Sequence, residues 1–187
     1  AINHLQKALR ASDGRNDEVM VKLARALLMT GDVDEALSLC NKVLAINAQN
    51  DEALYLLCDI YIDRGQVANA QNVLSRNKGT RTSGWIYLAQ GRIHEAKGDM
   101  TSAMSQYKLA SRVLAENADL QMGLGRVYLA RQKWGEAIQA FGMASALEPS
   151  NPRVFVGMGK AYLGQNNLSS AREYFAEEEV KPYLEKV

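Results

Sequence analysis

Residues 157–165 read GMGKAYLGQ, with two glycines one residue apart and a lysine directly after the second. Such a stretch could be a loop that wraps a phosphate in backbone N–H groups. That chemistry requires Gly-x-x-x-x-Gly-Lys-Ser/Thr, yet Val154 stands where the first glycine belongs and Ala161 where the hydroxyl belongs. The dinucleotide fingerprint fails as well, because its third glycine falls on Tyr162. These glycines serve something other than a phosphate.

Their use becomes visible upstream. GLGRVYLARQ occupies residues 123–132, and Gly123, Gly125, Arg126, Tyr128 and Leu129 precede Gly157, Gly159, Lys160, Tyr162 and Leu163 by 34 residues each. One step further back, AQGRIHEAKG carries Gly91 and Arg92. A fixed period in this range marks a stacked repeat. Five units follow: 17–50, 51–83, 84–117, 118–151 and 152–185. The eighth place of each is small (Ala24, Cys58, Gly91, Gly125, Gly159) and the twentieth is alanine (Ala36, Ala70, Ala103, Ala137, Ala171). The twenty-fourth is large or apolar: Cys40, Leu74, Tyr107, Phe141, Phe175.

In register over residues 17–185, this pattern resembles the tetratricopeptide repeat, a 34-residue helix–turn–helix unit. The resemblance implies an all-α fold, a right-handed α-α superhelical solenoid whose first helices line a concave groove. The packing logic agrees. Glycine inside a helix costs roughly 1 kcal/mol relative to alanine, so Gly91, Gly125 and Gly159 are expected where two helices cross closely. Gly31, Gly65 and Gly98 fall in the turn between paired helices, where a left-handed residue caps the first helix. Gln132 and Asn166 hold that place in the last two units, and glutamine suits it less well.

Three segments break the pattern. SRNKGTRTSG (75–84) reads as a looser inter-repeat turn and a hinge. Residues 1–16 read as a partial repeat, with Ala1, Leu5 and Ala8 in the places of a second helix, so the chain is expected to be cut from a longer protein. Glu178 and Pro182 are expected to end the array with a polar cap.

Composition narrows the function. Lys and Arg number 22 against 21 Asp and Glu, which argues against a general nucleic-acid or membrane-surface binder. No apolar run approaches the ~18 residues of a membrane span. Cys40 and Cys58 form neither a disulfide framework nor a metal spacing, and His4 and His94 lie far apart in the sequence. The Glu177–Glu179 acids have no histidine or aspartate beside them. No enzyme, cofactor or metal is expected.

A binding face is expected instead. Places two, five, nine and twelve of each unit share one side of the first helix. Place five holds Val21, Tyr55, Leu88, Met122 and Val156, and place twelve includes Leu129. Place nine holds Arg25, Asp59, Arg92, Arg126 and Lys160, basic in four units of five, and Trp85 adds an aromatic at place two. The expected groove is therefore Arg25, Tyr55, Trp85, Leu88, Arg92, Met122, Arg126, Leu129, Val156 and Lys160, and the expected partner is a peptide or helix with apolar and acidic residues. Some family members hold chaperone C-termini with lysine at place five and asparagine at place nine; Val21 and Arg25 occupy those places here, so that clamp does not transfer. The resemblance implies a scaffold or adaptor, in a style that looks bacterial, within a secretion, pilus or regulatory assembly. An RNA-binding solenoid and a regulatory domain of a larger enzyme are the alternatives. The apolar face of residues 1–12 is open to pairing with a second copy.

Overall fold

Capping side chains recur at the repeat period and fix where each first helix starts. In the computed structural model, which describes residues 2–176, eleven helices are formed. They are α1 (Ile2–Ala11), α2 (Asp17–Thr30), α3 (Val33–Ile46), α4 (Asp51–Asp63), α5 (Val67–Lys78) and α6 (Gly84–Ala96). Then come α7 (Met100–Ala110), α8 (Ala118–Ala130), α9 (Trp134–Leu147), α10 (Pro152–Gly164) and α11 (Leu168–Ala176). Asn16, Asn50, Ser83, Asn117 and Asn151 cap α2, α4, α6, α8 and α10, each side-chain oxygen accepting from a backbone N–H of the first turn. Losing one such cap typically costs about 1 kcal/mol. Pro152 begins α10, where its missing N–H has no helical partner to lose.

The turn inside each pair is left-handed in all five units. Gly31, Gly65 and Gly98 have φ of 88°, 72° and 80°, and Gln132 and Asn166 hold 57° and 60°. The amide after that residue reaches back to the carbonyl of the eleventh place: Asp32 to Leu27, Gln66 to Tyr61, Lys133 to Tyr128 and Asn167 to Tyr162, at 2.8–2.9 Å. This closes the helix end with a six-to-one bond. Gln132 takes the glycine conformation despite its Cβ.

The glycines of the opening motif are seats for aromatic rings. A Cβ built on Gly125 meets Phe141 at 2.8 Å, one on Gly157 meets the same ring at 2.5 Å, and one on Gly159 meets Phe175 at 2.5 Å. Gly123 presses on Tyr107 in the same way, at 2.6 Å. Phe141 and Phe175 thus enter the hollow left at place eight of their own repeats, and Tyr107 and Phe141 the hollow at place six of the next. Around Phe141 the core is Met122, Ala137, Ala144, Val154, Met158 and Ala161. Trp134, the first residue of α9, lies against Gly164 of α10, so it wedges two repeats together.

The helices form two compact units, α1 to α6 up to Lys97 and α7 to α11 from Gly98. The division falls between the two helices of the third repeat and not at the expected hinge. Residues 75–84 lie within the first unit, and Arg81 ties that turn down, donating to the Asp51 carboxylate at 3.1 Å and to the Ala48 carbonyl at 3.3 Å. In the preceding repeat, Asn47 and Asn50 donate to Asp17 at 2.8 and 3.3 Å, and the Asn47 bond is the main cause of an Asp17 carboxyl held below its ordinary range. The polar stretch that reads as loose is thus anchored to the start of the helix 30 residues before it. The Glu177–Glu179 acids and the cap at Glu178 and Pro182 lie outside the described residues.

Candidate functional site: the first-helix faces

In the first unit, side chains from three successive first helices stack in one ladder. The Trp85 ring of α6 lies 5.5 Å from the Tyr55 ring of α4, and the Arg25 guanidinium of α2 stands 5.6 Å from the Trp85 centroid. Cation–π contact of this kind contributes roughly 0.5–1 kcal/mol where partly solvated. Arg25 also donates to Glu52 at 3.0 Å, both side chains about one-third exposed or less. Trp85 is half-buried, so the ladder leaves an aromatic edge and a guanidinium at the surface.

Four of the ten expected groove residues have a different role. Tyr55, Leu88 and Met122 are 2%, 0% and 3% exposed, and a partner cannot reach them in this state. Place five points at the groove side, but the neighbouring first helix lies along the same side and closes over it. Arg92 is the fourth. Its Nε donates to Asp59 at 2.6 Å, its Nη2 to Asp63 at 3.0 Å, and its Nη1 to Glu95 at 3.5 Å, with the residue 8% exposed. Three carboxylates surround this charge, so it holds α4 to α6 and does not present a basic surface. Asp59, the exception in the basic column, is the partner that makes this possible.

In the second unit, by itself, the first-helix face is more open. Leu129 of α8 is half-buried against the core, Val156 of α10 is half-buried, and Lys160 is exposed. Arg126 is half-buried. Leu163, also in place twelve, is 52% exposed, the largest apolar surface on this helix face. It had a sequence signal in its place number, though nothing there distinguished it from Leu129.

Both cysteines of the first unit are enclosed. Burial pushes the Cys40 and Cys58 thiols up to about 12, and Cys58 Sγ donates to the Ala70 carbonyl at 3.5 Å. Among the described residues, no group of three or more His, Cys, Asp or Glu is placed to hold a metal ion. His94 is half-buried and His4 exposed. No helix among the described residues is long and apolar enough to cross a membrane.

Comparison with known proteins bears on what such faces do. A family model described as tetratricopeptide repeat matches residues 1–45 and 31–76, and a second, described as TPR repeat, matches 125–166. No curated protein matches the chain. Among solved structures, the chain is similar to TTC0263, a thermophilic TPR protein of Thermus thermophilus, at 26% identity and a TM-score of 0.66, over 86% of this chain and 89% of that one. It is similar to MamA at 25% identity and a TM-score of 0.54, over 92% and 94%. It shares its fold with YrrB, a TPR protein with an unusual peptide-binding site, at 15% identity and a TM-score of 0.52, over the whole of both chains.

Proposed function

The chain belongs to the tetratricopeptide repeat family, whose members generally mediate protein–protein interactions, and from that premise we propose that its first-helix faces hold a peptide or helical segment of a partner protein. The observation that carries this reading is the Arg25–Trp85–Tyr55 ladder. Arginine and tryptophan are the side chains that most often dominate binding energy, and here both are held in place by their neighbours before any partner arrives. Trp85 offers its edge to an apolar side chain, and Arg25 can exchange Glu52 for a carboxylate of the partner. In the second unit, Leu129, Val156 and Leu163 offer apolar surface beside Lys160 and Arg126, which again suits an apolar and acidic segment. A peptide site on this fold exists in YrrB. The role is non-catalytic, as a scaffold or adaptor within a larger assembly.

A displayed library of random peptides tests this. Enriched peptides should be apolar and acidic, and Trp85→Ala or Lys160→Glu should weaken their binding. Lys42→Glu and Lys108→Glu, on the second helices α3 and α7, should not. Enrichment of basic peptides, or weakening only by the second-helix substitutions, overturns the proposal.

A further inference from the structure

Arg25 and Arg92 both reach from one first helix to a carboxylate on a neighbouring one, but the two links differ in access. The Arg92 and Asp59 side chains are each 10% exposed, whereas those of Arg25 and Glu52 are 26% and 33% exposed. Water reaches the Arg25 link, and solvated ion pairs of this kind hold weakly and exchange readily. Arg25 does not rely on Glu52 alone for its position, because the Trp85 ring supports its guanidinium from α6. Glu52 is likewise well placed without Arg25. It is the second residue of α4, where the positive end of the helix favours a carboxylate. Lys22 of α2 supplies a second positive charge, its ammonium held above its ordinary range chiefly by Glu18, at 2.7 Å, and further by Glu52.

We infer that Glu52 is a built-in competitor for the partner's acid, holding Arg25 until a carboxylate anchored through an apolar neighbour on Trp85 displaces it. The inference rests on the proposed binding of a partner segment along the ladder, and adds how that site is regulated. Its physical basis is local concentration. Glu52 is tethered within reach of Arg25, so it competes at the high effective concentration of an intramolecular group. A free small anion loses that contest. An acid whose neighbouring apolar side chain already rests on Trp85 becomes local as well, and the two carboxylates then compete on equal terms. Exchange also avoids setting two like charges side by side on one guanidinium. The ladder therefore answers to an acid and an apolar group together, and stays closed to lone anions.

Calorimetric titration with an acidic and apolar peptide from the displayed library tests the inference, beside the same peptide with its acids replaced by amides. Glu52→Gln should tighten binding of the acidic peptide roughly three- to tenfold, since the competitor is gone. Exchange conserves the number of ion pairs, so the affinity of the unchanged chain should respond weakly to salt. In Glu52→Gln the peptide makes a new pair, and rising salt should erode its affinity. The amide peptide should bind both chains alike. Glu35→Gln, on α3, makes the same change in net charge and should leave the acidic peptide's affinity as it is. Tightening by Glu35→Gln as well would trace the effect to net charge and overturn the inference. Equal or weaker binding by Glu52→Gln, with Trp85→Ala still harmful, means that Glu52 positions Arg25 or shares it with the ligand, and overturns this inference alone. A library without acidic and apolar binders overturns the reading of the site, and this inference with it.

Discussion

A Cβ on Gly157 would stand 2.5 Å from the Phe141 ring, closer than any side chain tolerates, so the two residues fit only because one of them has no side chain. This relation, repeated by Gly125 with Phe141 and by Gly159 with Phe175, separates packing glycines from incidental ones. Gly142 of α9 is incidental, with nothing within 4 Å of an added Cβ. Gly157→Ala should therefore cost about 1–3 kcal/mol through overpacking, despite the better helix propensity of alanine. Gly142→Ala should stabilise by about 0.5–1 kcal/mol. Urea denaturation of both variants checks this, and equal effects of the same sign would remove the explanation of the motif.

Gln132 carries a φ of 57° where three other units use glycine. A Cβ in the left-handed region costs roughly 1–2 kcal/mol, and the added chain entropy of glycine offsets part of that. Gln132→Gly should raise stability by about 0.5–1 kcal/mol. A lower melting temperature for this variant would mean that the glutamine side chain contributes more than its strain.

Arg92 is a structural ion. Replacing it by leucine strands the Asp59, Asp63 and Glu95 carboxylates around an apolar side chain, and breaking a buried pair in this way costs about 3–5 kcal/mol. Chemical denaturation should show that loss, together with reduced helicity under mild denaturant. A change below ~0.5 kcal/mol, the range of ordinary surface substitutions, would place Arg92 at the surface and return it to the groove. Charge reversal at Arg92 is for the same reason a poor probe of binding, because it removes the joint between α4 and α6.

The thiols report on integrity. With Cys40 and Cys58 both enclosed and pushed up to about 12, native protein should react negligibly with a disulfide reagent at neutral pH. Unfolding in denaturant should release two thiols per chain. Fast labelling of native protein would show that the first unit opens locally.

The fold was legible because its rule is local and recurs five times. A small residue at place eight and a large or apolar one at place twenty-four follow from helix crossing, and each repeat states the rule again. The column of caps at Asn16, Asn50, Ser83, Asn117 and Asn151 is equally visible in the sequence, one residue before each unit, although the apolar positions alone suffice to find the repeat. The site was only half legible. Helical periodicity places Tyr55, Leu88 and Met122 on the same side of the first helix as the other candidate residues but cannot say that a parallel neighbour covers them. The role of Arg92 does have a sequence signal. Asp59 precedes it by 33 residues in the same column, and opposite charges at the same place of adjacent units lie one helix apart.

A partner peptide that meets the first-helix ladder must change the surroundings of Trp85, whose ring is part of it. The chain has two tryptophans, so in a Trp134→Phe background Trp85 is the sole indole. A library-selected acidic and apolar peptide should shift Trp85 emission saturably on titration. The affinity should fall in Arg25→Ala, and Lys42→Glu and Lys108→Glu should leave it unchanged. A peptide that binds the chain without altering Trp85 emission, and that loses affinity through the second-helix substitutions, would put the partner on the second-helix side and not on the ladder.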